Sequence, residues 1–153
     1  MSLALARVRL RDKLDTVSGI GTTHRYMPLV STEKGILDRL TKDGKLHAWC
    51  VTLAEDQPYS TDRKPSTHEH AIYHFNIVAF MAVGDAGSSE EAWQDLVERA
   101  IAVFRADKKL GGEPFFDMSP AQWTRGGYVM WAGVLCHFAR LSLKVKEQTE
   151  PTA

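Results

Sequence analysis

The residues that first invite a chemical reading are His68, Glu69, His70 and His74. Neutral imidazoles are common metal ligands, and on an extended strand residues 68, 70 and 74 share one face. Spacing works against a single ion. Along a strand His70 and His74 stand about 13 Å apart, too far for one metal without a bend. The chain has no H-E-x-x-H, H-x-x-E-H or paired C-x-x-C pattern, so the familiar zinc arrangements are missing. The expectation is no metal and no cofactor, with these histidines on a solvated strand face or at an interface.

Nucleophile patterns are equally sparse. Cys50 and Cys136 lie inside the apolar runs Ala48-Trp49-Cys50-Val51 and Val134-Leu135-Cys136-His137, where a thiol packs as a small hydrophobe. Cys136 with His137, and Cys50 with His47, have opposite parity on a strand, so thiol and ring point to opposite faces. Ser88 and Ser89 read as helix caps, and no G-x-S-x-G elbow is present. The glycine pairs at 111–112 and 126–127 lack the context of a phosphate loop and read as turns. Trp93 falls on an apolar helix face and is expected in the core. Trp123 and Trp131 flank a loop, where an exposed aromatic could anchor a partner. No catalytic set emerges, so the protein is expected not to be an enzyme.

The chain has 153 residues, with 19 Lys plus Arg against 19 Asp plus Glu, a length that fits one domain. The absence of a basic excess disfavours sequence-independent nucleic-acid binding. No run approaches the roughly 20 apolar residues of a bilayer span. Arg7, Arg9, Arg11, Asp12 and Lys13 interrupt the first residues, leaving no signal-peptide core. The product is expected to stay in the cytosol where it is made.

Periodicity supplies the elements. Leu3, Leu10, Leu14 and Val17 form one stripe of a helix over 3–17, ended by Gly19 and Gly21. Residues 22–28 read as an extended connection in which Tyr26 and Met27 could cover a sheet, and 32–42 as a short mixed stretch with a helical turn. Asp43-Gly44 predicts a turn into a central strand over 45–54 that is apolar on both faces. Residues 55–68 are polar and proline-containing, which predicts a long flexible arm. Alternation over 69–83 predicts a strand with Ala71, Tyr73, Phe75, Ile77 and Ala79 facing the core, antiparallel to the first, with the arm as the hairpin loop. Ser88 and Glu91 make a capping box for a helix to Ala106, carrying Trp93, Leu96, Val97, Ala100, Ile101 and Phe104 inward. Residues 113–127 read as a loop and 129–146 as one last strand. The result is an α+β fold: a single domain over 1–147 with a mostly antiparallel β-sheet packed against two main helices, a flexible hairpin arm at about 55–68, and a frayed tail over 148–153.

The opening helix, the strand Lys45-Leu46-His47-Ala48-Trp49-Cys50-Val51-Thr52, the polar arm and the strand His70-Ala71-Ile72-Tyr73-His74-Phe75-Asn76-Ile77 resemble the tail terminator (tail completion) proteins of long-tailed bacteriophages and prophages. The helix around Trp93-Gln94-Asp95-Leu96-Val97-Glu98, the segment Asp107-Lys108-Lys109-Leu110-Gly111-Gly112 and the closing Gly133-Val134-Leu135-Cys136-His137-Phe138-Ala139-Arg140-Leu141-Ser142-Leu143 extend the resemblance over about residues 3–146. It implies a virion tail protein, assembled in the bacterial host cytoplasm, that forms a ring, commonly a hexamer. Such a ring caps the tail tube, stops its polymerisation and offers the surface joined by the head-tail connector or neck. The alternatives are a related neck or minor tail protein and a small metalloenzyme using His68, His70 and His74.

Overall fold

Alternating side chains over residues 69 to 83 predict a strand, and that strand organises the molecule. The structure, a computed structural model, describes residues 2–27, 32–63, 69–84, 89–110 and 116–148. Over these described residues it is a mixed α/β fold with three helices and a mostly antiparallel sheet of nine strands. The strand β5 (Glu69–Ala82) pairs antiparallel along its whole length with β9 (Val134–Gln148), from His70 opposite Gln148 to Ala82 opposite Cys136. Its other side carries β3 (Lys45–Leu53), antiparallel, against residues 75–81. Outside β3, the short β1 (Thr22–His24) runs parallel to it.

One face of this sheet builds the main core. The odd positions Phe75, Ile77 and Ala79 of β5, Trp49 and Val51 of β3, and Ala139, Leu141, Leu143 and Val145 of β9 bury against two helices. These are α1 (Ser2–Asp15), through Ala6, Leu10 and Leu14, and α3 (Ser89–Ala106), through Trp93, Leu96, Val97, Ala100 and Phe104. A partly buried ion pair, Lys13 Nζ to Asp107 Oδ2 at 2.7 Å, ties the end of α1 to the residue after α3.

Among the described residues the opposite face is covered at one end only. There α2 (Glu33–Leu40), capped by the Thr32 hydroxyl accepting from Gly35 N at 3.1 Å, lays Leu40 on Leu46, Ala48, Cys50, Phe80 and Cys136. The chain then turns through Asp43 and Gly44, at φ 54° and 76°, the left-handed pair that a tight hairpin requires. This hairpin joins β2 (Thr41–Lys42) to β3, whose two buried faces match its central position. Burial pushes the Cys50 thiol up to about 12 and the Cys136 thiol up to about 11, so both stay protonated and inert at neutral pH.

Three expectations change. Within the arm expected over 55–68, Tyr59–Arg63 form β4, antiparallel to residues 69–73 of β5; residues 64–68 lie outside the described residues. Because β5 outruns β3, its extra length leaves an edge of backbone donors and acceptors. A polar segment can satisfy that edge through main-chain hydrogen bonds without an apolar face of its own. The loop expected over 113–127 contains β6 (Phe116–Met118) and β7 (Gln122–Arg125), both antiparallel to β9. The single strand expected over 129–146 is a hairpin of β8 (Tyr128–Trp131) and β9. Its turn is Ala132-Gly133, at φ 49° and 78°. Alanine is a poor signal for a left-handed turn residue, and this concealed the hairpin in an apolar run.

β6, β7 and β8 together make one broken outer strand along β9, interrupted at Pro120, by a register shift between Trp123 and Arg125, and at Gly126-Gly127. The indole of Trp123 donates to the Arg125 carbonyl at 2.8 Å. Breaks of this kind blunt an edge against adding another strand. Gln148, assigned to a frayed tail, is the last residue of β9; residues 149–153 lie outside the described residues, as do Ser88 of the capping box and Gly111-Gly112.

Candidate functional site

The candidate chemical residues do not assemble into one centre. His68 lies outside the described residues, and His74 is held 2.9 Å from the Ser60 hydroxyl through its Nε2. Among the described residues no group of three His, Cys, Asp or Glu side chains could hold a metal ion. Likewise, no helix among them is long and apolar enough to cross a membrane.

The structure does gather a polar cluster that pairwise reading missed. Trp93 is buried, with its ring 5.9 Å from His47, 5.5 Å from Trp49 and 6.2 Å from His137, stacked on the last. The Trp49 indole donates to His47 Nε2 at 2.9 Å. Indole is only a donor, so His47 must present a lone pair there and be neutral. Burial, with Lys45 and Lys42 adding like charge, lowers His47 to about 4. His137 is also held below its ordinary value by burial, and its Nε2 stands 3.0 Å from the Ser89 hydroxyl at the start of α3. A serine hydroxyl on an imidazole is one part of an acyl-transfer site. Here the ring is covered by Trp93 and Tyr128 and only 2% exposed, which suits a structural lock between α3 and β9. The available signal was parity: His47 and His137 continue the core faces of their strands.

A pH dependence follows from these shifts. A neutral histidine whose folded value is lowered leaves the unfolded chain binding more protons, so stability falls on acidification. The loss begins near pH 6.5, the ordinary histidine value, and for His47 is complete near pH 4. It amounts to on the order of 3 kcal/mol. Urea unfolding between pH 7 and 5, above most carboxylate titration, should show a falling midpoint; a flat or rising one would contradict this arrangement.

Among the described residues two surfaces stand open. The first is the sheet face opposite α1 and α3, beyond the reach of α2. There Ser142 Oγ donates to Asn76 Oδ1 at 3.0 Å and stands 3.1 Å from Thr124 Oγ1, which accepts from Arg140 Nε at 3.2 Å. His74, Asn76, Ser119, Gln122, Ser142 and Lys144 line a cleft of about 320 Å³ on this face. Burial, then Lys144, holds His74 below its ordinary value. Arg125 lies over the Phe138 ring at 5.8 Å.

The second surface is the β8–β9 hairpin. One side packs Val129, Trp131 and Val134 on the smaller core, with Trp131 5.2 Å from Phe80. The other side presents Tyr128, Met130 and Leu135 at 55%, 62% and 48% exposure, with Met130 directly opposite Leu135. Trp131 therefore serves the core rather than a partner, while Trp123 is exposed on the outer edge.

No family model and no curated protein matches this chain.

Proposed function

We propose that this chain is a non-enzymatic structural protein of a phage tail, a terminator that associates into a ring of six copies on the end of the tail tube. In this reading the ring stops tube polymerisation and receives the connector or neck. The supporting observation is the hairpin side formed by Tyr128, Met130 and Leu135, three large apolar side chains held together on a paired β-ribbon and left in water. A surface of that kind is a feature of protein contact sites. The motif order given above supports the same reading, and so does the polar strand β4 at the sheet edge, within the stretch expected as an arm.

Sedimentation of the purified protein with and without tail tubes tests the proposal. A discrete ring, or stoichiometric binding to tube ends, is the expected result; neither forming would remove it. Met130→Lys combined with Leu135→Glu, an opposite-charge pair across the hairpin, should abolish the association while leaving urea unfolding within about 0.5 kcal/mol, since exposed sites tolerate such changes. Deleting residues 56–67 removes β4 and should impair assembly while cooperative unfolding persists. Loss of cooperative unfolding would make the arm a structural element. Pull-down against tube protein and head connector separates a terminator from a neighbouring neck protein.

A further inference from the structure

We infer that the open sheet face is the seat for helix α3 of a second copy of this chain. The inference rests on the assembly reading and names the surfaces that would carry it.

The chain has zero formal charge, yet β9 carries a basic stripe on the open face. On the open face Arg140, Lys144 and Lys146 alternate along β9, and Arg125 lies across from Arg140 on β7. Lys108, Lys144 and Lys146 line a second cleft of about 360 Å³, which shares Ser119, Pro120 and Lys144 with the first. The acid in that lining, Asp117, is 3.9 Å from Lys109.

On the other side of the sheet α1 is mainly basic, with Arg7, Arg9, Arg11 and Lys13 against Asp12 and Asp15, but the first turns of α3 are acidic. The exposed surface of α3 presents Glu90, Glu91, Asp95 and Glu98 before its first cation, Arg99. Arg99 is turned to Asp95 at 3.1 Å and to the Ser18 carbonyl, which leaves Glu91 and Glu98 without an ion pair among the described residues.

These two surfaces lie on opposite sides of one sheet, so they cannot meet within a chain. Between chains they can. Arg140 and Lys144 stand about 13 Å apart along β9, and Glu91 and Glu98 about 10 Å apart along α3. Those spans allow both pairs to approach together through long, adaptable side chains. A contact joining two different surfaces is head-to-tail, the type that closes into a ring when its rotation permits. The attraction is one between exposed charges, so it should weaken with salt.

Two charge-reversed variants test this: Arg140→Glu with Lys144→Glu on the sheet face, and Glu91→Lys with Glu98→Lys on α3. Unfolding midpoints confirm that each remains folded. Should Arg140→Glu disturb folding through its Thr124 bond, Lys144→Gln and Glu91→Gln replace the pairs and should weaken association in smaller steps.

By sedimentation, each variant alone should need at least tenfold more protein to associate. An equimolar mixture should regain assembly with the two variants alternating, since the acidic sheet face of one fits the basic α3 of the other and their unchanged surfaces fit as in the wild type. The chain carrying all four reversals should regain assembly. Association of either variant at wild-type strength would overturn the inference while leaving the assembly reading intact. So would a sheet-face variant that loses affinity for duplex DNA alone, which would mark that face as a phosphate-binding surface. A wild-type chain that never associates, with or without tubes, removes the assembly reading and this inference together.

Discussion

Trp93→Ala should destabilise the protein by about 3–5 kcal/mol, the range for truncating a large buried aromatic. Trp93 is 2% exposed and joins α3 to both β3 and β9 through Trp49, His47 and His137. Its indole nitrogen is buried without a hydrogen-bond partner, so the substitution breaks no bond and the loss is one of packing and cavity formation. A second readout follows from the neighbours. The cavity would admit water to His47 and His137, whose lowered values depend first on burial. The fall in stability between pH 7 and 5 should therefore flatten along with the lower urea midpoint. A loss below about 1 kcal/mol, with the pH profile unchanged, would show that the cluster does not hold α3 to the sheet.

Gly21→Ala should cost about 3 kcal/mol, the upper part of the range for overpacking. A Cβ at this position would lie 2.3 Å from the His47 carbonyl oxygen and 2.6 Å from its carbonyl carbon. Both atoms belong to the backbone of a central strand, which cannot swing aside as a side chain can. The next residue begins β1, with Thr22 registered against Ala48, so a shift there would unseat the parallel pairing. Gly44 supplies the contrast. Alanine there meets nothing within 4 Å but must adopt φ 76°, a backbone strain of roughly 1–2 kcal/mol. Urea unfolding of the two variants should place Gly21→Ala as the more damaging. The reverse order would mean that β1 yields easily.

The regular parts of the fold were legible because periodicity records burial. Leu10 and Leu14, the odd positions of β5 and the apolar stripe of α3 all enter the main core, as the spacing predicts. Gly21 reads in sequence as a helix stop, whereas its observed environment is a close approach of two strands. β4, β6 and β7 carry little periodic signal. They are strands because β5 and β9 offer unpaired edges, and an edge accepts main-chain hydrogen bonds from almost any composition.

The candidate surfaces divide in the same way. Residue types and local spacing settled the helices, the long strands, the burial of both thiols and the lack of a familiar metal motif, since each depends on neighbours within a few residues. Tertiary structure alone decided that Ser89 meets His137 across 48 positions and that Trp93 lies between two imidazoles. It also decided that Met130 and Leu135 share a water-facing patch, and that the basic stripe of β9 and the acidic first turns of α3 lie on opposite sides of one sheet. Those arrangements depend on which strand pairs with which and in what register, and a single-residue shift of register would turn every side chain to the other face.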